Sequence, residues 1–138
     1  MRVWEHLAAI VASFALVACS TSGASQLPKL PPAGSAIFVS EHYSGYEARH
    51  IGAVVRTLEK HGFVATQDRS SSNYYLDFSI GGGVIVTVKI TLLDGSQPVV
   101  EVSSKNLGWG TMIARPVAIS SLVSAALKRF DSLLTERR

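Results

Sequence analysis

The side chains that most often carry out chemistry are few in this chain and lie far apart. Cys19 is the only cysteine, so no disulfide can form within the chain. His42, His50 and His61 are the histidines beyond the N-terminal region, and we expect them to be solvated. His50 and His61 fall on one predicted helix, about 16 Å apart along its axis, which is too far to share a metal ion. No catalytic triad spacing and no Gly-x-Ser-x-Gly elbow is present. We therefore predict no catalytic group, no metal and no cofactor.

Two further patterns have an ordinary structural explanation. Gly81, Gly82 and Gly83 lack the Lys-Ser or Lys-Thr pair and the helix that follow a phosphate-binding loop, so they predict a hairpin turn. Asp77 and Glu101 fall on the outward side of predicted strands. A pair of carboxylates is conceivable there, but a solvated surface is the simpler interpretation.

The first 18 residues have the layout of a secretory signal. A short start containing Arg2 precedes an apolar run from Leu7 to Ala18, and small residues lead into Cys19. An apolar helix of this length spans about 18 Å, well short of the bilayer core of roughly 30 Å. The run therefore predicts a signal segment rather than a membrane-spanning helix.

The residues Leu16, Val17, Ala18 and Cys19 resemble the lipobox of bacterial lipoproteins. This resemblance implies that residues 1–18 are a lipoprotein signal peptide and that the Cys19 thiol receives a diacylglycerol, with a further acyl chain such as palmitate on the new amino group. Ser20 stands where an aspartate retains enteric lipoproteins in the inner membrane, so the resemblance implies an outer-membrane protein facing the periplasm. The alternative for Cys19 is a buried or redox-active cysteine.

Residues 19–35 predict a flexible linker after the lipidated cysteine. The segment is rich in Ser, Gly and Ala, carries Pro28, Pro31 and Pro32, and has no helical or strand period. Residues 36–138 are numerous enough for one domain with one core. The net charge of +3 is small and its charges are scattered, which argues against nucleic acid as a partner.

The first part of the domain has a strand followed by a helix. Residues 36–40 are apolar with a β-branched pair and predict the strand. Ser44 and Glu47 have the spacing of a capping box and begin a helix predicted over 45–61. The buried stripe of this helix follows the i, i+3, i+4, i+7 pattern, and it consists of Ile51, Val54, Val55 and Leu58.

Gly62 suits the left-handed residue after a helix, and a second strand is predicted over 63–66. Alternating apolar residues predict three further strands, over 74–80, 84–93 and 98–105. Asp94 and Gly95 predict a hairpin turn between the last two. A final helix is predicted over 117–135, with an apolar face of Ile119, Leu122, Val123, Ala126, Phe130 and Leu133. The order β-α-β-β-β-β-α predicts a single α+β domain whose mostly antiparallel sheet carries both helices on one face.

Trp109, Ile85 and Leu93 are the candidates for contact with a partner. Trp109 stands between two glycines in a predicted loop, where it could anchor an interface or fold back over the core. Ile85 and Leu93 belong to the outward row of the strand over 84–93. This row is less polar than a solvated surface requires, since it consists of Ile85, Thr87, Lys89, Thr91 and Leu93.

Together these features predict a membrane-anchored envelope lipoprotein that acts as a non-catalytic accessory or assembly factor. Its predicted partners are the membrane, through lipid on Cys19, and another envelope protein. The order of elements is similar to that of small envelope-assembly lipoproteins, which is an analogy of fold only. The alternative is a binding module for an envelope glycan or lipid, with contacts from Tyr43, Tyr46, Tyr74 and Tyr75. An envelope hydrolase is disfavoured, since no nucleophile has a base beside it.

Overall fold

The computed structural model describes residues 28–107 and 115–138. Within them, five strands and two helices follow one another in the predicted order. The strands are β1 (Ala36–Val39), β2 (Val64–Thr66), β3 (Tyr74–Gly81), β4 (Ile85–Asp94) and β5 (Gln97–Leu107). The helices are α1 (Gly45–Lys60) and α2 (Arg115–Glu136), and a single 3-10 turn, Arg69–Ser71, lies between β2 and β3.

The strands form one sheet in the order β2-β1-β3-β4-β5. β1 runs parallel to β2 and to β3 over three residue pairs each, whereas β3, β4 and β5 form an antiparallel meander with eight and ten pairs. The sheet is therefore mostly antiparallel, and the predicted α+β class is confirmed. The parallel pair of β1 and β2 requires a long crossover, which α1 supplies.

Both helices pack on one face of the sheet, α1 against β2 and β3, and α2 against β4 and β5. This covered face is the hydrophobic core. Its largest fully buried side chains are Phe78, Phe130, Ile37, Leu58, Ile90, Leu92, Ile119 and Leu134. In α1, Val54 and Leu58 of the predicted stripe are buried, whereas Ile51 and Val55 are only partly buried against the core. In α2 the last fully buried position is Leu134, and the predicted Leu133 is only partly buried.

Two glycines determine the hairpin turns of the meander. Gly82 has a φ of +119°, and a Cβ atom there would overlap the Ile85 carbonyl, so only glycine fits. Gly81 and Gly83 have open space beside them, so the steric requirement falls on the middle glycine alone. Gly95 has a φ of +60° and begins the two-residue turn between β4 and β5.

β5 contains a bulge at Val99. Two consecutive residues of β4 pair with Val100 and Pro98, which leaves Val99 as the extra residue of the ladder. Val99 is buried, and its carbonyl oxygen accepts a hydrogen bond from Arg137, just beyond α2. The bulge is therefore tied to the helical layer, a contact that strand alternation does not indicate.

Residues 28–35 lie against the domain, although the sequence assigns them to the linker. Leu30 packs on the core and Pro31 is buried. Arg137 also donates a hydrogen bond to the Pro28 carbonyl. These contacts bury apolar surface and satisfy a backbone oxygen, so the folded part extends to Pro28 at least.

Cys19, the predicted signal peptide and Trp109 lie outside the described residues. Lipid attachment and the contact role of Trp109 therefore stay predictions. Among the residues that the structure does describe, no helix combines the length and the hydrophobicity needed to cross a bilayer.

Candidate functional sites on the open face and beside the first helix

The face of the sheet opposite the two helices, here termed the open face, carries a row of apolar side chains. Phe38 is level with Tyr75, Tyr75 with Leu93, and Leu93 with Pro98, so the row crosses four neighbouring strands. All four side chains are partly or fully exposed. The Phe38 and Tyr75 rings meet edge to face, with centroids 6.0 Å apart. These four residues are termed the apolar row.

Arg69 lies over the aromatic half of the apolar row. Its guanidinium carbon is 5.9 Å from the centre of the Phe38 ring and 5.6 Å from the centre of the Tyr75 ring. Arg69 belongs to the connection from β2 to β3, which crosses the open face because β1 lies between those strands. Asp68 begins the 3-10 turn by accepting a hydrogen bond from the Ser70 N–H at 3.1 Å. This turn holds the cation over the rings.

Ile85 and Leu93 lie at opposite ends of β4. They are eight residues apart, or about 27 Å along a strand. Ile85 is 44% exposed beside the Gly82 hairpin. Leu93 is partly buried and belongs to the apolar row, between Tyr75 and Pro98. The two candidates therefore belong to separate surfaces: Leu93 is part of the apolar row, whereas Ile85 is level with Leu107 near the other end of β4.

Beside the apolar row, the middle of the open face is polar. Asp77, Thr91 and Glu101 are level with one another on three strands, so the two carboxylates are separated by two strand spacings, about 10 Å. Glu101 instead pairs with Lys89, at 3.4 Å. Thr91 is only 4% exposed, and among the described residues its hydroxyl has no hydrogen-bond partner. The register thus keeps the carboxylates too far apart to share a proton.

A cleft of about 710 Å³ opens between α1 and the carboxyl ends of β1 and β2. Its polar groups come from Ser40, Glu41, Thr66 and Gln67. The rest of the wall is apolar or small, from Val39, Tyr43, Ala48, Ile51, Gly52, Val55 and Ala65. β2 ends after three residues, which leaves this side of α1 without a strand beneath it. Crevices beyond the carboxyl ends of parallel strands are a common place for ligands.

Tyr43 lines this cleft and also packs on β3, with its ring 6.2 Å from that of Phe78. Burial raises the pKa of the Tyr43 phenol, and a hydrogen bond with the Phe78 backbone opposes that effect. Glu47 accepts a hydrogen bond from the Ile80 N–H at 3.0 Å. The predicted capping box is therefore wrong. Ser44 makes no side-chain cap, and Glu47 serves the edge of β3 that extends beyond β1.

The four tyrosines considered as ligand contacts are not brought together. Tyr43 lines the cleft, and Tyr46 is partly buried with the Arg49 guanidinium 5.7 Å from its ring centre. Tyr74 is partly buried at the start of β3, and Tyr75 lies on the open face. Only Tyr43 is therefore placed to contact a ligand in the cleft.

His61 is buried, which contradicts the expectation of a solvated histidine. It follows α1 directly, and its Nε2 atom lies 2.6 Å from Asp131 Oδ1 of α2. Lys60 Nζ lies 3.2 Å from the second carboxylate oxygen. The hydrogen bond with His61, and then that with Lys60, lower the pKa of Asp131. Within the described residues His61 has no hydroxyl partner, so this cluster links the helices and holds no nucleophile.

No group of three or more His, Cys, Asp or Glu side chains within residues 28–107 and 115–138 is placed to hold a metal ion. No protein-family model and no curated protein matches the chain. The interpretation of the sites therefore rests on their geometry.

Three members of the open-face surface were missed from the sequence: Phe38, Arg69 and Pro98. Phe38 had a usable signal, because it stands between Ile37 and Val39 and strand alternation places it on the opposite face. Arg69 had none, since its position depends on how the connection between β2 and β3 crosses the sheet.

Proposed function

We propose that this chain is a lipid-anchored envelope protein that binds a partner protein through the apolar row, without catalysing a reaction. The lipobox-like residues from Leu16 to Cys19 support the anchor. The single observation that supports the contact role is the apolar row, which lies on the face opposite both helices. Aromatic side chains and arginine, the types found in and above this row, are enriched where proteins bind one another.

The position of the apolar row supports a partner close to the membrane. Pro98 of the row is followed by Val99. The Arg137 guanidinium donates hydrogen bonds to the carbonyl oxygens of both Val99 and Pro28, so Pro28 lies close to this end of the row. From Cys19 to Pro28 the chain spans at most about 30 Å. A lipid on Cys19 would therefore keep the Pro98 end of the row near the bilayer. A partner embedded in the same membrane, or lying on it, is therefore favoured.

Site-specific photo-crosslinking in intact bacteria tests the contact role. A photoreactive amino acid replaces Leu93 in the full-length chain, and it replaces Ile85 or Ser120 in two control chains. Ile85 lies at the far end of the same strand, and Ser120 is exposed on α2. We expect one discrete protein adduct from the Leu93 position and a much lower yield from both controls. Equal yields at all three positions would refute a specific surface at the row.

The anchor is tested by Cys19→Ser in the full-length chain. We expect wild type to incorporate labelled palmitate and to fractionate with membranes, and the variant to do neither. The Leu93 adduct should also fall in this variant, since the domain is no longer held near its partner. If Cys19→Ser incorporated no palmitate and still fractionated with membranes as wild type does, lipid anchoring would be contradicted.

A second candidate function is binding of a small envelope glycan or lipid, and the cleft beside α1 favours it. Ala48→Trp would fill the cleft, while Ser124→Trp places the same side chain at an exposed site of α2. The two probes are a soluble peptidoglycan fragment and a short-chain phospholipid. Binding of each is monitored through changes in the NMR chemical shifts of Tyr43. Shifts in wild type and in Ser124→Trp, but not in Ala48→Trp, would support the candidate. Absence of shifts with both probes would remove it.

A further inference from the structure

β5 forms one edge of the sheet, and among the described residues no strand pairs with its far side. It is eleven residues long, whereas exposed edge strands are commonly short or interrupted. Pro98 and the Val99 bulge interrupt only its first part. From Val100 to Leu107 its pairing with β4 is regular. Over that stretch, one row of backbone groups has no strand partner within residues 28–107 and 115–138, and such a row can pair with an added strand.

We infer that this edge pairs with β5 of a second copy of the chain, antiparallel and about a two-fold axis normal to the sheet. Such an axis keeps outward side chains on the same face in both copies. Side chains alternate between the two faces along a strand. Residues that are level in the two copies therefore point to the same face only when the axis passes beside one residue and not midway between two. The centre of the regular stretch falls between Ser103 and Ser104, so these two are the positions open to the axis.

Charge selects Ser103. With the axis there, Glu101 of each copy is level with Lys105 of the other, which makes two cross-strand pairs of opposite charge. With the axis at Ser104, Lys105 would be level with Ser103 and no charges would pair. Among the described residues, no carboxylate lies within ion-pair distance of Lys105, so this ammonium group is available.

The side of α2 that borders β5 is also complementary in charge to the same side of a second copy about this axis. A groove of about 700 Å³ lies between β5 and α2, lined by Ser103, Ser104, Ala125, Lys128, Arg129, Ser132, Leu133 and Glu136. Along α2, Lys128 precedes Ser132 by four residues and Glu136 follows it by four. Two antiparallel α2 helices that cross at Ser132 therefore place Lys128 of each copy opposite Glu136 of the other. The small side chain of Ser132 at the crossing permits close approach there.

Pairing through β5 does not require the lipid, and it is compatible with it. The axis places Pro28 of the two copies towards opposite ends of the paired strands, because Pro28 is held beside Val99. Both tethers reach one bilayer when the sheet lies along the membrane. The open face of each copy stays available for the partner in the proposed function.

Cysteine cross-linking of the full-length chain tests the axis. Ser103→Cys places two thiols beside each other across the axis, where a disulfide or a short bis-maleimide joins them. Ser79→Cys is the matched control, since it lies outward on β3, two strands away from β5. The parent chain controls for Cys19. We expect a species of twice the mass from Ser103→Cys alone. Equal yields from Ser79→Cys, or a cross-link to a protein of another mass, would overturn the inference.

Charge reversal in the Ser103→Cys chain tests the second contact. Lys128→Glu or Glu136→Lys alone places like charges together twice, so we expect the dimer to weaken by roughly tenfold. The double exchange restores both pairs and should recover the wild-type yield. Lys128 and Glu136 are exposed, so we expect these substitutions to leave the domain folded. Equal yields in all charge variants, or no recovery in the double exchange, would overturn the proposed axis.

Discussion

The covered face and the open face of the sheet carry the same residue type in different surroundings. Phe78 on the covered face is 2% exposed, within a core built from both helices. Phe38 of β1 lies on the open face and is only partly buried. It contacts the Tyr75 ring and the Arg69 guanidinium. The covered face therefore supplies most of the hydrophobic stabilisation. The open face can be altered at a small cost in stability, which suits a surface for binding.

The largest expected contrast comes from one substitution made on both faces. Phe78→Ala should lower the free energy of unfolding by about 3–5 kcal/mol, because it leaves a cavity in the core. Phe38→Ala should cost about 1–2 kcal/mol, from lost contacts with Tyr75 and Arg69. Chemical denaturation of the two variants beside wild type measures both. Equal losses would show that the open face is as deeply buried in solution as the core.

A smaller effect is expected at the link between the helices. Asp131→Asn should lower stability at neutral pH, because the hydrogen bonds with His61 and Lys60 favour the carboxylate. The pKa of Asp131 is lowered from 3.8, so its contribution is present above that value and is lost as pH falls through the folded-state pKa. The difference from wild type should therefore shrink below about pH 4. Asp77→Asn, an exposed carboxylate on the open face, is the control.

A difference that stays constant down to the acid unfolding transition would contradict this assignment. It would mean that the Asp131 carboxylate is not stabilised by its two neighbours. Thermal unfolding at a series of pH values for wild type and both Asn variants decides the matter.

At the centre of the open face, we expect a substitution that raises the free energy of unfolding. Thr91→Val should raise the free energy of unfolding by about 1 kcal/mol, because it removes a buried hydroxyl that lacks a partner among the described residues. Thr87→Val is the matched control, since Thr87 lies on the same face of β4 and is less buried. Denaturant midpoints compare the two. A loss of stability specific to Thr91→Val would show that the hydroxyl is hydrogen-bonded in solution.

The smallest effect is expected at the ion pair of the open face. Lys89→Gln should cost no more than about 1 kcal/mol, because Lys89 and Glu101 are both well exposed. The loss should disappear at high salt, where surface charges are screened. Lys29→Gln, which removes an exposed charge elsewhere, controls for net charge. A loss unaffected by salt would point to packing of the Lys89 stem instead.

Much of the fold could be predicted from the sequence, because strands and helices bury one side of a regular period. The alternation of Val86, Val88 and Ile90 placed these residues in the core, and all three are buried. Turn chemistry was equally local, as Gly95 shows. Of the candidate sites, the outward position of Leu93 was predictable. Its apolar neighbours were not, because they come from three other strands whose register the sequence does not state.

The sequence by itself determined the element order, the covered face and the likeness of Leu16 to Cys19 to a lipobox, since each depends on residues close together in the chain. Only the tertiary structure decided where polar groups find partners. It paired Glu47 with the Ile80 N–H and buried His61 against Asp131. The physical reason is that apolar burial follows a local period, whereas a hydrogen bond joins whichever donor and acceptor the packed chain brings into reach.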